Sequence, residues 1–224
     1  MRYEDLLRVR SQLMALGFNE LAEKTKLNNM GTFTVNHLAV NGFAPVDKTC
    51  EYGTIAMPET PGIVWLDRNL GASRRPLAWN DTSEASAGWY WQFNRKQGYK
   101  FGTVRKPNTP LPNFINENND WLVENDPCQE LGPGWRLPTP QEIMAIETWS
   151  TAKNAFISKL KLHAAGWIYT HYDKLVNRGQ WGQFWSNQQS HPEWAWSLGI
   201  CSSTSRVAVN PKVYGYSIRA VKDI

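Results

Sequence analysis

Three cysteines, four histidines and a few clustered carboxylates are the residues with the means for chemistry, and their spacing decides which chemistry is open. Cys50, Cys128 and Cys201 are scattered, with no CxxC pair and no nearby histidine, so neither a zinc site nor a disulfide framework is legible. One disulfide would leave a spare thiol; reduced structural cysteines are the simpler expectation. A cysteine-pair oxidase finds no support, because Cys201 has only Cys50 and Cys128 as partners, neither at an active-site spacing. His163, His171 and His191 are well separated, and His37 lies far upstream. No Ser-His-Asp order stands out, although geometry rather than order defines such a triad. Glu124, Asp126 and Glu130 resemble a hydrolytic carboxylate pair, which needs a separation of about 5–9 Å. Pro127 between them points instead to turn caps. The expectation is a protein that is not an enzyme, with no cofactor and no metal.

The elements that hold these residues are rich in tryptophan, with 12 in 224 residues, set beside Gly, Pro and Asn rather than in helical stripes. Large rings used this way pin irregular segments. The length suits one large domain, alone or with an appendage. A formal charge of +4, with Lys and Arg dispersed, leaves no basic stripe for nucleic acid. No apolar run approaches the ~20 residues of a membrane span. The charged start, Met1-Arg-Tyr-Glu-Asp, lacks the apolar core of a secretory signal, so synthesis in the cytoplasm without export is expected.

Leu6, Val9, Leu13, Leu16 and Leu21 recur at near-helical spacing, predicting helix over 3–28, broken near Gly17. This stretch either packs as a hairpin on its own domain or serves docking or oligomerisation. Thr32, Thr34, Asn36, Leu38 and Val40 alternate, suggesting a short strand pair or linker, with the break between modules near 30 to 48. Residues 76–90 and 94–120, with the Asn-rich run Asn113 to Asn119, read as long loops. Thr139-Pro140-Gln141-Glu142 spells a capping box with Pro at the first helical position; Ile143 and Ile146 should then face the core. A second helix is expected near 151–160 with Phe156, Ile157 and Leu160 inward. Short strands should follow at 166–169, 182–185, 195–198, 206–209 and 216–221. The pattern predicts an α+β domain with antiparallel sheets and two helices, preceded by a small helical N-terminal segment.

Six phrases occur in order: Trp65-Leu-Asp-Arg-Asn-Leu-Gly71, Gly88-Trp-Tyr-Trp-Gln92, Asp126-Pro-Cys128 with Gly134-Trp-Arg-Leu-Pro-Thr139, Leu160-Lys-Leu162 with Ala165-Gly166, Trp185-Ser186, and Ser217-Ile-Arg219. Over roughly 60–223 the chain thereby resembles the Fibrobacter succinogenes major paralogous domain family. That family has a C-type-lectin-like fold, related to the formylglycine-generating-enzyme fold and to the variable proteins of diversity-generating retroelements. The resemblance implies a C-type-lectin-like binding domain over 49–224 after a docking segment over 1–48. Function does not follow from such a fold alone. Trp65, Trp135 and Trp185 are expected as core pins, and Arg136 and Arg219 as buried hydrogen-bonding arginines. Trp79-Asn80-Asp81 matches a triplet of calcium-dependent lectins, but it comes early and without the companion motif, so coincidence is expected.

The resemblance also implies that ligands are met between roughly 170 and 215. There Tyr172, Asn177, Trp181, Gln183, Asn187, Gln188, Gln189, His191 and Trp194 offer rings and amides with few charges, a composition suited to a binding surface. The expectation is a phage virion protein, a tail-fibre tip or other receptor-binding component, that recognises a bacterial surface glycan or protein. Its N-terminal segment would engage virion structural proteins or build a homotrimer. A capsid or tail decoration protein and a bacterial surface adhesin are the alternatives.

Overall fold

The computed structural model describes residues 31–224; the expected helices of 3–28 lie outside the described residues. The architecture is α+β, with short antiparallel strand pairs and three short α-helices among the described residues. No helix among them is long and apolar enough to cross a membrane.

The chain opens with a hairpin, β1 (Phe33–His37) against β2 (Lys48–Tyr52). This hairpin covers much of the 30–48 stretch in which the break between modules is expected. Its inward residues are Val35, His37, Cys50 and Tyr52, the opposite parity from the Thr34/Asn36 alternation. Next come β3 (Thr54–Ala56) and β4 (Ile63–Leu66). The last strand, β14 (Val221–Asp223), lies between β4 and β8 (Trp135–Arg136), with Val221 opposite both Trp65 and Arg136. The expected strand over 216–221 is thus shorter and later. Residues 216 and 217 make only isolated bridges, to Trp91 and Phe184.

Much of the expected loop sequence is ordered. It holds α1 (Glu84–Ala87), β5 (Tyr90–Trp91), β6 (Gly98–Phe101) and β7 (Arg105–Lys106). The capping box forms as read: Thr139 Oγ1 accepts from Glu142 N, Glu142 Oε2 accepts from Thr139 N, and α2 (Pro140–Ile146) buries Ile143 and Ile146. Helix α3 (Ala152–Ile157) is shorter than expected, and its inward residues are Ala152 and Ala155. Ile157 is 66% exposed, because the helix ends there and its core contact passes to Leu160.

After β9 (Trp167–Tyr169) and β10 (Lys174–Val176), a three-stranded sheet is built from β11 (Trp181–His191), β12 (Trp194–Cys201) and β13 (Ser205–Pro211). Strand β11 separates two cores. Trp185 joins Trp89, Trp91, Trp121, Trp135 and Tyr216 on one side. Phe184 joins Trp65, Ile143, Ile146 and Leu198 on the other. Burial on both faces makes this hairpin a rigid base for whatever projects from its end.

The recurring phrases meet as a polar framework within this apolar interior. Arg219, buried as expected, donates to Leu66 O and Leu160 O and to Asn69 Oδ1, and Asn69 Nδ2 donates to Ala87 O. Burial brings its guanidinium pKa down to about 9. Asp126 accepts from Cys128 N at 2.8 Å and Leu137 N at 3.0 Å, joining the two parts of the third phrase. Arg136 is only half-buried and pairs with Glu142 and Asp223, so it is a bridging surface arginine and not a buried one. Trp65, Trp135 and Trp185 are all buried.

Candidate functional site

The β11–β12 hairpin closes through the two-residue turn Pro192-Glu193, with His191 opposite Trp194. The pairing slips between Trp185 and Gln189 and again before His191. Such slips bend a strand and redirect its side chains.

A second segment braces this tip. Glu117 N donates to Pro192 O, and Trp121 N donates to Asn187 O at 2.8 Å. Gln189 N donates to Asp120 Oδ1, and its Nε2 to Asn118 Oδ1 at 2.8 Å. Asn116 Nδ2 reaches Glu193 Oε1. Beneath them lies Lys212, a buried ammonium that donates to Glu117 O at 2.7 Å and Gln189 Oε1 at 2.8 Å and sits over the Phe93 ring. Burial lowers its pKa. The Asn-rich run is therefore the strap that fixes the tip.

The predicted site residues separate by role. Asn187 and Gln189 are half-buried and belong to the brace. Gln188, His191 and Trp194 are left facing solvent, with Trp194 36% exposed and its ring 6.0 Å from that of His191. Gln183 does not join them. It is 8% exposed, opposite Gly199, whose missing side chain leaves the room its amide occupies. Tyr172, Asn177 and Trp181 form a second group. Tyr172 is 70% exposed and packs on Tyr169; Trp181 meets Trp167 edge to face at 6.5 Å. Asn177, exposed with φ of 56°, shapes the turn into β11 by accepting from Gln180 N and Trp181 N. The two groups adjoin through residues 211–214: Pro211 pairs with Trp194, and Tyr214 N donates to Pro211 O.

Sequence reasoning missed Lys212, the Asn116–Trp121 strap, and the rings of Trp167, Tyr169 and Tyr214. A lysine flanked by apolar residues in the stretch after Asn210 was the one signal for the first. Trp167 and Tyr169 were read only as strand residues, and Tyr214 was not singled out.

The groups weighed for chemistry have other employment. Asp81 accepts from Leu77 N, Ser83 N and Arg74 NH1. Burial works to raise its pKa, but these bonds outweigh it and hold the carboxyl well below the usual range. The Trp79-Asn80-Asp81 triplet is thus a capped turn. Asp126 caps as expected, whereas Glu130 accepts from His37 Nδ1 at 2.8 Å, a partner far away in sequence. His37 Nε2 meets the Tyr52 hydroxyl at 2.9 Å. Burial works to lower the His37 pKa, but hydrogen bonds with Cys50 and Glu130 leave it raised. This triad is enclosed in the core, with Cys50 and Tyr52 both buried. All three cysteines are free and buried. Among the described residues no group of three or more His, Cys, Asp or Glu is arranged to hold a metal ion. Compared with models of known protein families and with curated protein sequences, the chain matches none of them.

Proposed function

We propose that this chain is a non-enzymatic recognition protein with a C-type-lectin-like domain, carried on a phage particle, which meets a bacterial surface glycan or protein through the hairpin tip and the aromatic surface beside it. One observation carries the reading. A loop that presents Gln188, His191 and Trp194 to solvent is held by five hydrogen bonds from a remote segment and by a buried lysine beneath it. Fixing a surface loop before contact removes the entropy that binding would otherwise cost. Aromatic and amide side chains on such a loop supply area and directional bonds with little rotamer loss. The lectin-like assignment rests on the antiparallel contact between β4 and β14, which closes residues 63–223 into one loop, and on two helices packed against the β11–β13 sheet. The segment ahead of β1 would join the domain to the particle.

The test is binding of labelled protein to intact bacteria of several species, beside His191→Ala/Trp194→Ala, with circular dichroism showing both folded. Binding that the variant loses supports recognition through the tip. Equal binding by both proteins removes the tip from the site, and binding by neither moves a structural decoration role ahead.

A further inference from the structure

The aromatic surface beside the tip is a run of rings that branches at Tyr169, which meets Tyr214, Tyr172 and His171. Trp181 lies 6.5 Å from Trp167, ring centre to ring centre. Trp167 and Tyr169 stand two apart on β9, so they share a face about 7 Å apart. Tyr169 lies 5.2 Å from Tyr214 and 5.5 Å from Tyr172. Trp181, Trp167, Tyr169 and Tyr214 are each half-buried, with Tyr172 exposed at the end. None of the contacts Tyr169 makes with these two rings is a flat stack; the planes tilt by 44–45°, which leaves ring faces partly open. The run is anchored from behind, since Trp167 and Tyr214 pack against the main core and Ile168 pairs with Gly215.

We infer that this run of rings binds an uncharged, linear oligosaccharide, with successive sugars lying against successive rings. The inference rests on the recognition reading above and names its ligand class. Neighbouring ring faces left partly open match the apolar axial C–H faces of pyranoses, whose edges carry hydroxyls. The edges of the run supply partners: the phenol groups, and the exposed Asn177 and Gln180 amides at the turn before Trp181. The charges argue for a neutral chain. Asp173 is held in a two-pronged pair with Arg105, which also donates to Pro107 O and Thr109 O. Arg178 is occupied by the Tyr90 hydroxyl and Phe101 O. Single-stranded nucleic acid would also stack on such rings, but it needs free cations along its phosphates. Lys174 on β10 is exposed, while Arg105 and Arg178 are committed to the contacts above.

The test uses intact bacteria that bind the protein, treated with periodate to cleave sugar diols or with protease, together with soluble dextran, mannan, xylan and hydroxyethylcellulose in affinity gels. Periodate should abolish cell binding and protease should spare it. At least one polysaccharide should retard the protein, and oligomers of two to five units should bind more tightly with each unit. Tyr172→Ala, which removes an exposed ring, and Trp181→Ala should each lose affinity about tenfold. Trp181→Phe should recover most of it, and added salt should change little. Cell binding that survives periodate, or is unchanged in Tyr172→Ala and Trp181→Ala, overturns this inference while recognition stands. Retardation by none of the polysaccharides, alongside periodate-resistant cell binding, does the same. No cell binding and no retardation overturns both.

Discussion

His163 is fully buried, and neither ring nitrogen has a hydrogen-bond partner among the described residues. Burial and the nearby Arg219, Arg178 and Arg74 push its pKa down to about 3, with Asp81 the one opposing charge. The imidazole is therefore neutral in the folded protein, while the unfolded chain takes a proton below its ordinary value of 6.5. A depressed base contributes stability that is complete above the unfolded value and lost as pH falls toward the folded one. With that shift, the loss from about pH 7.5 to about pH 5 is roughly 2 kcal/mol, rising to about 5 kcal/mol below pH 3. Replacing His163 with Leu removes the linkage. It also removes two unsatisfied polar atoms, a gain of about 1–3 kcal/mol that offsets the cost of altered shape. Urea unfolding followed by tryptophan fluorescence at both pH values measures the effect. The gap in unfolding free energy between His163→Leu and the parent should shift in the variant's favour by about 2 kcal/mol on going to the lower pH. The raised pKa of His37 gives the opposite slope, with stability present below 6.5 and lost as pH rises through its folded value, but it is common to both proteins and cancels. Parallel pH profiles for the two proteins would show that His163 is not held neutral by the fold.

Three further outcomes are expected. Lys212→Met should cost about 1–3 kcal/mol by leaving Glu117 O and Gln189 Oε1 without their donor. Hydrogen exchange should then speed at the amides of Glu117, Gln189 and Trp121 more than in β12, since the strap loosens before the sheet. Thr139→Ala should cost about 1 kcal/mol by uncapping α2, read as a fall in Tm of about 2–4 °C. Gly71→Ala should fail to give soluble folded protein or lose at least about 2 kcal/mol, because φ is 80° and the new Cβ would stand 2.2 Å from the Trp89 ring.

Local signals in the chain were legible and distant ones were not. The Thr139–Glu142 box needs only residues that adjoin, and it forms as spelled. Trp65, Trp135 and Trp185, read from the recurring phrases, marked the core correctly, since little else can absorb rings of that size. Gln183 misled because a polar residue between Trp181 and Phe184 reads as surface, whereas the pocket that takes it is made by Gly199 on the partner strand. The inward parity of β1 was obscured in the same way. His37 is tolerated in the core only because Glu130 and Tyr52 accept and return its hydrogen bonds, and Glu130 is on a distant turn. Gln188, His191 and Trp194 were named because the resemblance pointed to residues 170–215, and they lie exposed around the hairpin turn. The strap was read as loop because its partners, 187–193, are remote in sequence.

The position of β14 has a consequence in time. It is an inner strand of its sheet, flanked by β4 and β8, yet it is made of residues 221–223. During synthesis, β4 and β8 emerge long before the strand that must separate them, and each exposes an unpaired edge meanwhile. Pairing of such remote segments is slow, and open edges invite other chains. The nascent domain should therefore remain vulnerable until residues 221–223 arrive. Crowded assembly of several copies would favour either a chaperone or a neighbouring chain that covers those edges first.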